Sequence, residues 1–436
     1  MRFLTTTLST LALSATAVSA DTLEVPEQYA SIQAAIDDAG TGDRISVAPG
    51  TYNEALDMGG KAIQLYGRKG ASVTTIDASG LDASCIVCWN GEGPDTVIAG
   101  LTLTGGTGTQ NPDYDALHGG GFFAWNASPT IVNCTITGNT AEFGGGMLVQ
   151  ESDSFIHNID FENNSTTNEQ GGGGGLYCFL DCNTTITECR FVNNSSNSGG
   201  GLKVKLDSNA LVRGCRFTNN SSGAVAGAFA IISSSPTVER CLFENNTAAT
   251  YGGGISSSTG TPALQDCEFR NNTAGSLGGG MRIAAGGAVL DGCGFTQNTA
   301  AIGGGGVVAS VGDDYSLLIT DSSFQENDGA SSGGAVYMLS GTTADIDSSN
   351  FCGNTNAIFS GNWNDNGGNT LQASCDATCP GDVNASGTVD IGDLLALMLQ
   401  YGPCNGIDSC FADQTGDGVV DVFDLLLVID NFGACP

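Results

Sequence analysis

Basic residues are scarce in this sequence. Lys and Arg together number 13 against 46 Asp and Glu, which leaves the 436 residues with a net charge of −33. A chain this acidic repels the phosphates of nucleic acids and of anionic lipids, so we expect neither as a partner. The same charge suits a soluble surface or a protein that binds Ca²⁺.

Long apolar runs are also missing beyond the N-terminus, so the sequence predicts no transmembrane segment. The first residues, Met1-Arg2, precede an apolar and Ser/Thr-rich run that ends at Val18-Ser19-Ala20. This pattern is typical of a secretory signal peptide over residues 1–20, cleaved after Ala20. We therefore expect an exported bacterial protein that is secreted or held at the cell surface.

Glycine, with 65 residues, and a repeat of 26 residues in its regular part dominate the rest of the chain. A clean copy reads Cys241-Leu242-Phe243-Glu244-Asn245-Asn246, followed by Gly252-Gly253-Gly254-Ile255. An aromatic residue or Ile recurs at spacings of 25 to 30 residues, at Ile136, Phe161, Phe191, Phe217, Phe243, Phe269, Phe295, Phe324 and Phe351. Three residues after each of them stands an Asn: Asn139, Asn164, Asn194, Asn220, Asn246, Asn272, Asn298, Asn327 and Asn354.

A fixed period of this length means that each unit repeats one supersecondary element and buries its apolar face against its neighbours. After one Gly triplet, Leu202, Val204 and Leu206 alternate with Lys203 and Lys205, as on a strand whose lysines face outward. Two or three short strands per turn predict a parallel β-helix whose coils stack about 4.8 Å apart. Equivalent Phe, Cys and Asn residues then form columns. A stacked Asn can hydrogen-bond the amides of the Asn above and below it, and it tolerates left-handed turn geometry.

Five of the 16 Cys occupy the same slot of consecutive repeats: Cys189, Cys215, Cys241, Cys267 and Cys293. One interpretation is a column of buried thiols that pack as small apolar groups. Disulfides between adjacent coils are the alternative, because neighbouring Cα atoms lie within disulfide range and an exported protein meets oxidising conditions. A metal site is disfavoured, since no His accompanies the column and a linear stack is not tetrahedral. The pairs Cys85/Cys88 and Cys178/Cys182 stay unassigned.

A short helix is expected at the start of the repeat region, within Tyr29–Ala39. Ile32, Ala35 and Ile36 have helical spacing, and Ser31 is available as N-cap. A solenoid has an open end whose apolar core must be covered, so we interpret this helix as the N-terminal cap. Strands are expected at Arg44–Ala48, Ala62–Tyr66, Ser72–Ile76 and Thr96–Leu103.

Two family resemblances agree with this fold. The stretch with Val25-Pro26, Ile32 to Ile36, Gly42-Asp43 and Val47 to Tyr52 resembles the opening of the pectin-lyase-like right-handed β-helix superfamily. The Phe-x-x-Asn and Gly-Gly-x-Ile/Leu/Val phrases of residues 130–360 resemble the repeats of chlamydial polymorphic outer-membrane proteins. These resemblances imply an all-β, right-handed parallel β-helix over residues 21–370. They leave the activity open, since that superfamily holds lyases, hydrolases, esterases, epimerases, adhesins and binding proteins.

A different pattern begins after a linker at residues 371–380. Two twelve-residue loops, starting at Asp382 and Asp413, place oxygen-bearing side chains at positions 1, 3, 5, 9 and 12 and Gly at position 6. A Ca²⁺ ion takes six to eight oxygen ligands around a sharply turning backbone, and the carbonyl at position 7 supplies one more. Each loop leads into a Leu-rich helix, so residues 381–436 predict a tandem EF-type module that folds cooperatively with Ca²⁺.

The Asp at position 12 and the lack of an entering helix make this module resemble a type I dockerin. The resemblance implies Ca²⁺ as the bound ion and a cohesin-like or other surface protein as the partner. It assigns the first site to Asp382, Asn384, Ser386, Thr388 (by its carbonyl), Asp390 and Asp393. It assigns the second site to Asp413, Thr415, Asp417, Val419 (by its carbonyl), Asp421 and Asp424. The second site has four carboxylates against three, so we expect it to bind Ca²⁺ more tightly.

Two further features of the dockerin-like module bear on its partner and its stability. Type I dockerins contact cohesins through Ser/Thr-type residues at loop positions 10 and 11. In this sequence those positions are Ile391-Gly392 in the first loop and Val422-Phe423 in the second. This difference leaves the identity of the partner open. The paired loops bring the two ends of the module together, so we expect the disulfides Cys379–Cys435 and Cys404–Cys410.

Candidate catalytic residues lie in a loop over residues 105–120 that departs from the repeat. They are Asp113, Asp115 and His118, near Trp125 and together with Lys203 and Lys205. General acid–base work on sugars uses carboxylates, and elimination from polyuronates also uses Ca²⁺ and a basic group. The alternative is an Asp/Asn/Pro turn that binds nothing.

The three Trp residues and His157 have two interpretations each. Trp89, Trp125 and Trp363 are either platforms for stacking sugars or residues that pack at the edges of the coil, and we favour edge packing. His157 is expected to face solvent.

Three functions remain open from the sequence. The first is an exported surface protein that binds polysaccharide or acts as an adhesin, attached through its dockerin-like module. The second is a polysaccharide lyase or glycoside hydrolase of the pectate-lyase type. The third is a structural scaffold without a small ligand.

Overall fold

The computed structural model describes residues 20–111, 113–311, 315–339, 342–372, 375, 383, 388–398, 401–403, 412 and 419–434. They form an all-β parallel solenoid of about 13 turns and a small C-terminal module. The chain divides into two compact units, which we call the N-terminal unit (residues 1–215) and the C-terminal unit (residues 216–436). Of the predicted signal peptide, residues 1–19 lie outside the described residues.

Successive turns contribute strands to three long parallel sheets. In the N-terminal unit the first sheet contains Thr22–Val25, Arg44–Val47, Gln64–Gly67, Val97–Ala99, Thr130–Val132, Phe155–His157, Thr185–Thr187 and Leu211–Arg213. Its strands in the C-terminal unit are Thr237–Glu239, Ala263–Gln265, Ala288–Asp291, Leu317–Thr320, Thr343–Asp347 and Asn362–Asp365.

The second sheet carries the recurring aromatic position. In the N-terminal unit its strands are Gly50–Tyr52, Thr74–Asp77, Thr102–Thr104, Thr135–Thr137, Asp160–Glu162 and Arg190–Val192. In the C-terminal unit they are Arg216–Thr218, Leu242–Glu244, Glu268–Arg270, Gly294–Thr296, Ser323–Gln325, Asn350–Cys352 and Thr370–Gln372. In most of these strands only the central residue is buried, because alternate side chains point to opposite faces.

The third sheet follows the Gly triplets. Its strands in the N-terminal unit are Leu56–Asp57, Ile86–Cys88, Phe122–Trp125, Met147–Gln150, Leu176–Phe179 and Leu202–Lys205. Its strands in the C-terminal unit are Phe229–Ile232, Ile255–Ser258, Met281–Ala284, Val307–Ser310, Val336–Met338 and Phe359–Ser360.

Shorter elements complete the solenoid. A fourth sheet of short strands precedes the Gly triplets, at Thr140–Ala141, Ser165–Thr166 and Ser195–Ser198 in the N-terminal unit and at Ser221–Val225, Thr247–Ala248, Thr273–Ala274 and Thr299–Ala300 in the C-terminal unit. A 3-10 helix covers Ala71–Val73. Thr109–Asn111 and Ala116–His118 form an antiparallel hairpin.

The predicted aromatic column is confirmed. In the C-terminal unit the rings stack face to face with centroids 4.5–4.9 Å apart and interplanar angles of 3–12°, through Phe217, Phe243, Phe269, Phe295, Phe324 and Phe351. Phe161 and Phe191 stack in the same way in the N-terminal unit, at 4.7 Å. The spacing equals that of hydrogen-bonded strands, so the repeat period of the sequence maps directly onto the stack.

The predicted Asn column is confirmed as a buried ladder of amides. The Oδ1 of Asn272 accepts from the backbone N and the Nδ2 of Asn246, at 3.0 and 2.9 Å. The Nδ2 of Asn272 donates to the carbonyl of Phe243 at 2.8 Å and to Asn298 Oδ1 at 2.9 Å. The pattern repeats from Asn220 to Asn354, and again from Asn139 to Asn194 in the N-terminal unit.

The left-handed turn position is not the column Asn. The residue just before it adopts this geometry, with φ of 56° at Asn245 and 53° at Asn271. This residue is exposed, whereas the ladder Asn is buried because its amide must reach the neighbouring coils. A second tight turn lies at the Gly triplets. At Gly253 a Cβ would stand 2.6 Å from the backbone N of Thr273, so only glycine fits there.

The predicted N-terminal helix is present as Ile32–Asp38. The Ser31 hydroxyl caps it by accepting from the backbone N of Ala34 at 3.2 Å. Its apolar side chains, Ile32, Ala35 and Ile36, are buried against the first strands of the solenoid. The predicted strand Thr96–Leu103 is instead two strands, because Gly100 turns the chain at φ 64° between the first and second sheets.

The five Cys of the column are buried thiols. The Cys267 thiol donates to the carbonyls of Val238 and Gln265, at 3.4 and 3.3 Å. One described disulfide joins Cys352 of the second sheet to Cys375, with Cα atoms 4.9 Å apart. Cys375 lies in the stretch predicted from the sequence as a linker, residues 371–380. The expected pairs Cys379–Cys435 and Cys404–Cys410 lie outside the described residues.

Buried thiols of the solenoid are expected to resist alkylation in the native protein. Burial raises the pKa of Cys134 to about 12, which leaves a thiolate fraction of roughly 10⁻⁴ at pH 8. We expect iodoacetamide at pH 8 to leave the peptides of Cys134 and Cys215 unmodified, as read by mass spectrometry. The same treatment in denaturant serves as control, and equal labelling in both conditions would contradict burial of these thiols.

The C-terminal module contains the helices Ile391–Met398 and Val422–Asp430, each of which begins at position 10 of a predicted loop. Thr388–Val389 pairs antiparallel with Gly433–Ala434, and Gly402–Pro403 with Val419–Val420. Each loop thus pairs with the chain that follows the other helix. A small apolar core lies between the helices, with Val389, Leu397, Val420 and Val428 buried.

Candidate functional site

The outer face of the third sheet in the N-terminal unit is unusually apolar. Strand alternation points one column of side chains outward, in the order Val87, Phe123, Leu148, Tyr177 and Lys203. A second outward column contains Trp125, Gln150, Phe179 and Lys205. In the C-terminal unit the first of these columns is mixed, with Ser256, Arg282, Val308 and Tyr337. A covered or ligand-binding surface is therefore expected where the outward residues are aromatic.

The hairpin of residues 109–118 lies over this face. His118 packs edge-on against Phe123 and Phe143, with ring centroids 5.5 and 5.6 Å away. The amide nitrogen of Asn111 donates to His118 Nδ1 at 3.2 Å and to Gln150 Oε1 at 3.3 Å. Because Nδ1 accepts, the imidazole proton sits on Nε2. These buried contacts hold the hairpin on the sheet.

A pocket of about 280 Å³ opens between the hairpin and the two outward columns. Its apolar wall consists of Ala116, Phe143, Leu148, Tyr177 and Phe179. Its polar groups are Tyr114, His118, Gln170, Lys203 and Lys205. The volume lies just below the range of about 300–1,000 Å³ that is usual for ligand sites. It therefore suits a ligand of about one sugar ring.

Lys203 dominates the electrostatics of the pocket. It is only 5% exposed, and its ammonium lies 5.2 Å from the centroid of the Tyr177 ring in a cation–π contact. Burial, together with the like charge of Lys205, lowers the pKa of Lys203 to about 8. Burial also lowers the pKa of His118 to about 4, so this imidazole is neutral at pH 7 and does not add charge.

The structure separates the three candidate catalytic residues. His118 lines the pocket, whereas Asp113 and Asp115 are exposed at the tip of the hairpin. Asp115 accepts from Gln110 Nε2 at 2.6 Å, and the backbone N of Asp113 donates to Asn111 Oδ1 at 2.9 Å. Both contacts shape the turn. Lys203 and Lys205, named with the loop from the sequence, do lie beside it.

The remaining aromatic candidates pack rather than stand free. Trp89 and Trp125 lie against the apolar outer cluster, and Trp89 Nε1 donates to Asp57 Oδ2 at 3.0 Å. Trp363 stacks on Phe359 with centroids 4.3 Å apart. His157 is half-buried and pairs with Thr187 Oγ1 at 2.9 Å, so the expectation that it faces solvent holds only in part.

Tyr177 and Phe179 were missed from the sequence. Their signal was present in Gly173-Gly174-Gly175-Leu176-Tyr177-Cys178-Phe179. Alternation after the Gly triplet puts both rings outward, and the 26-residue period places Lys203 and Lys205 beside them.

The C-terminal module presents a second candidate site. Asp393 and Asp424, the last ligands of the two predicted Ca²⁺ sites, are fully buried. In both, Oδ2 accepts at 2.8 Å from a backbone N three residues earlier, that of Asp390 or Asp421. The first three ligands of each predicted set, Asp382, Asn384, Ser386, Asp413, Thr415 and Asp417, lie outside the described residues. Within the described residues no three acidic, Cys or His side chains converge as a metal site.

The residues of this module fit a divalent cation. Residues 381–436 contain nine Asp and no Lys, Arg or His. Carboxylate oxygens around a turning backbone are the ligands that Ca²⁺ prefers, and a segment with this composition carries a strongly negative charge. Asp393 and Asp424 would hold Ca²⁺ together with the carbonyls of Thr388 and Val419. The ion would offset the negative charge of the segment and tie each loop to its helix.

The two helices of the module leave matching apolar residues exposed. On the first helix these are Ile391, Leu395 and Met398, and on the second they are Val422, Leu426 and Ile429. In each helix they recur at i, i+4 and i+7, so they share one face. Exposed faces of this kind are typical of protein-interaction surfaces.

Comparison with known families agrees with the geometry. The model of the family "Right handed beta helix region" matches residues 61–226 and 120–307, which together span more than half of the chain. The chain belongs to the right-handed β-helix family. Residues 380–433 of this β-helix protein match the "Dockerin type I domain", so it also carries a C-terminal dockerin domain. These matches do not show the repeats of chlamydial polymorphic outer-membrane proteins.

Three solved structures are similar to this chain at low sequence identity. A mannuronic-acid-specific family 6 polysaccharide lyase from human gut microbiota is 12% identical, with a TM-score of 0.44, over 83% of this chain and 85% of its own. A family 28 exopolygalacturonase from Yersinia enterocolitica is 11% identical, with a TM-score of 0.38, over 81% and 78%. The A-module of a mannuronan C-5 epimerase from Azotobacter vinelandii is 14% identical, with a TM-score of 0.36, over 78% and 93%.

Two searches were negative. No curated protein matches the sequence of this β-helix protein. Among the described residues, no helix has the length and hydropathy needed to cross a bilayer.

Proposed function

We propose that this β-helix protein is exported, binds polysaccharide in the pocket of the third sheet, and is attached to a cohesin-bearing partner by its dockerin domain. The pocket carries the proposal. It combines the rings of Tyr114, Tyr177 and Phe179 with the two amines of Lys203 and Lys205. A sugar ring has apolar faces and polar edges, so it needs both aromatic walls and a few polar groups.

Tyr114 is the natural residue for testing polysaccharide binding. It stands at the rim, 44% exposed, with its ring 5.6 Å from Phe179 and at a steep angle to it. We expect Tyr114→Ala to weaken binding of the recognised polysaccharide about tenfold, as measured by calorimetry on the full chain, because one stacking wall is lost.

Tyr315 provides a matched control. It is 45% exposed and does not line the pocket, so Tyr315→Ala is expected to bind as the parent does. Equal loss in both variants, or no loss in Tyr114→Ala, would place the binding site elsewhere.

The dockerin domain supports the second part of the proposal. Ca²⁺ held by the two loops would order the helices, and the exposed apolar faces around Leu395 and Leu426 would contact the partner. Cohesin-binding dockerins have Ser/Thr-type residues at the loop positions that Ile391 and Phe423 occupy here. The contact with the partner is therefore more apolar in this protein than in those dockerins.

A polysaccharide lyase is the second candidate. One observation favours it: with a pKa of about 8, Lys203 has a substantial neutral fraction at mildly alkaline pH and is then able to accept a proton. Assay of a polysaccharide panel for 4,5-unsaturated products distinguishes this activity from binding alone. If the assay detects no products and calorimetry detects no binding, a structural scaffold is favoured.

A further inference from the structure

We infer that the pocket takes an acidic sugar, that is, a sugar ring bearing a carboxylate or a sulfate. The anionic group would lie at Lys203 and Lys205, and the ring would pack between Tyr177, Phe179 and Tyr114. This inference rests on the proposed binding of polysaccharide and adds the chemical class of the ligand.

The first observation is a buried cation without a partner. Only 5% of the surface of Lys203 is exposed. Among the described residues, none forms a hydrogen bond or an ion pair with its ammonium, which lies against the ring of Tyr177 and beside the backbone of Gly172. A buried charge is normally paired or hydrogen-bonded, because desolvation is otherwise uncompensated. An anion in the pocket would provide the missing partner.

The second observation is that the described lining of the pocket contains no Asp or Glu, although the chain is rich in both. The chain has 46 Asp and Glu, yet none of the described residues that line the pocket is a carboxylate. Two arginines of the solenoid do pair with acids, Arg68 with Glu27 and Arg190 with Asp160. The two pocket lysines have no such neighbour in the described part of the chain. The cleft is therefore a positive spot on a strongly negative protein, which favours an anionic ligand.

The third observation is the proximity of the two like charges. Lys203 and Lys205 point outward from the same strand, beside Tyr177 and Phe179 of the preceding strand. The charge of Lys205 contributes to the lowered pKa of Lys203. Bringing an anion between two ammonium groups relieves their repulsion and leaves the aromatic rings to contact the ring of the sugar.

The experiment compares three ligand classes on the full-length protein. Calorimetry measures binding of a polyuronate, a sulfated polysaccharide and a neutral glucan to the parent and to Lys205→Gln. We expect the acidic ligands to bind more tightly than the glucan, and Lys205→Gln to lose about tenfold for the acidic ligands only. Whichever acidic ligand binds more tightly identifies carboxylate or sulfate as the group. Lys69→Gln, an exposed lysine outside the pocket, is the control and is expected to bind as the parent does.

A second variant separates binding from folding. Lys203→Met keeps an unbranched apolar side chain at this position and removes the charge. We expect it to melt at the same temperature as the parent or higher, and to lose binding of the acidic ligand. A lysine with only a structural role would show a lower melting temperature instead.

The outcomes distinguish this inference from the proposed function. Binding of the neutral glucan that depends on Tyr114 but not on Lys205 would overturn the acidic ligand and keep polysaccharide binding. Equal losses in Lys205→Gln and Lys69→Gln would also overturn it. No binding of any polysaccharide would overturn the proposed function together with this inference.

Discussion

Chelation of divalent cations is expected to abolish the melting transition of residues 381–436 and to leave that of the solenoid in place. The segment has nine Asp and no basic residue, and Asp393 and Asp424 are fully buried. Without an ion these carboxylates repel one another, and the small core around Leu397 and Val428 provides little to oppose unfolding. Ca²⁺ at 1,000 times its dissociation constant would stabilise the folded module by about 4 kcal/mol.

Scanning calorimetry of the full chain with Ca²⁺ and with a chelator measures this effect. Single variants refine it. Asp424→Asn and Asp393→Asn are each expected to weaken Ca²⁺ binding at their own site. The site that remains intact in Asp393→Asn is expected to bind the ion more tightly than the one that remains in Asp424→Asn, because it has four carboxylates against three. Asp430→Asn, an exposed acid on the second helix, is the control and should leave the Ca²⁺-dependent transition unchanged. A thermogram that is the same with and without chelator would disprove the calcium assignment.

Truncation of one ladder residue is expected to produce a large loss of stability in the solenoid. In Asn272→Ala the carbonyl of Phe243 loses its 2.8 Å donor, and the Nδ2 of Asn246 and the Oδ1 of Asn298 each lose a partner. All these groups are buried. Each buried polar group left without a partner costs about 1–3 kcal/mol, so we expect a loss of roughly 4 kcal/mol in the free energy of unfolding.

The neighbouring Asn271 makes a close control for this measurement. It is exposed and has φ 53°, a conformation that glycine adopts readily, so Asn271→Gly should change stability by less than about 1 kcal/mol. Urea titration of the full chain followed by circular dichroism gives both values. If the two variants unfold at the same urea concentration, the amide ladder does not contribute as argued.

Much of the solenoid was predictable because its repeats are local and in register. A residue 26 positions later lies directly above its equivalent, so the period alone predicted the stacked rings of Phe243 and Phe269. The backbone conformation of individual residues within one turn could not be predicted from the period. The left-handed position of Asn271 rather than Asn272, and the corner at Gly100, depend on how the chain bends between sheets.

The repeat period alone was not sufficient to predict the pocket. Sequence alternation placed Lys203 and Lys205 outward, and register put Tyr177 and Phe179 beside them. The hairpin of residues 109–118 interrupts the repeat, so no period indicated which face it would cover. Only the fold brought His118 and Tyr114 onto those rings and left Asp113 and Asp115 in solvent.

The amino-acid sequence by itself determined the β-helix, its columns of Phe, Asn and Cys, and the two acidic loops of the dockerin domain. Each of these is set by spacing along the chain, because neighbouring coils and loop ligands are related by fixed sequence intervals. Tertiary structure alone decided that Lys203 is buried without a described partner and that aromatic rings surround it. Burial and pairing depend on residues far apart in sequence, here the hairpin and three successive strands, which no local spacing relates.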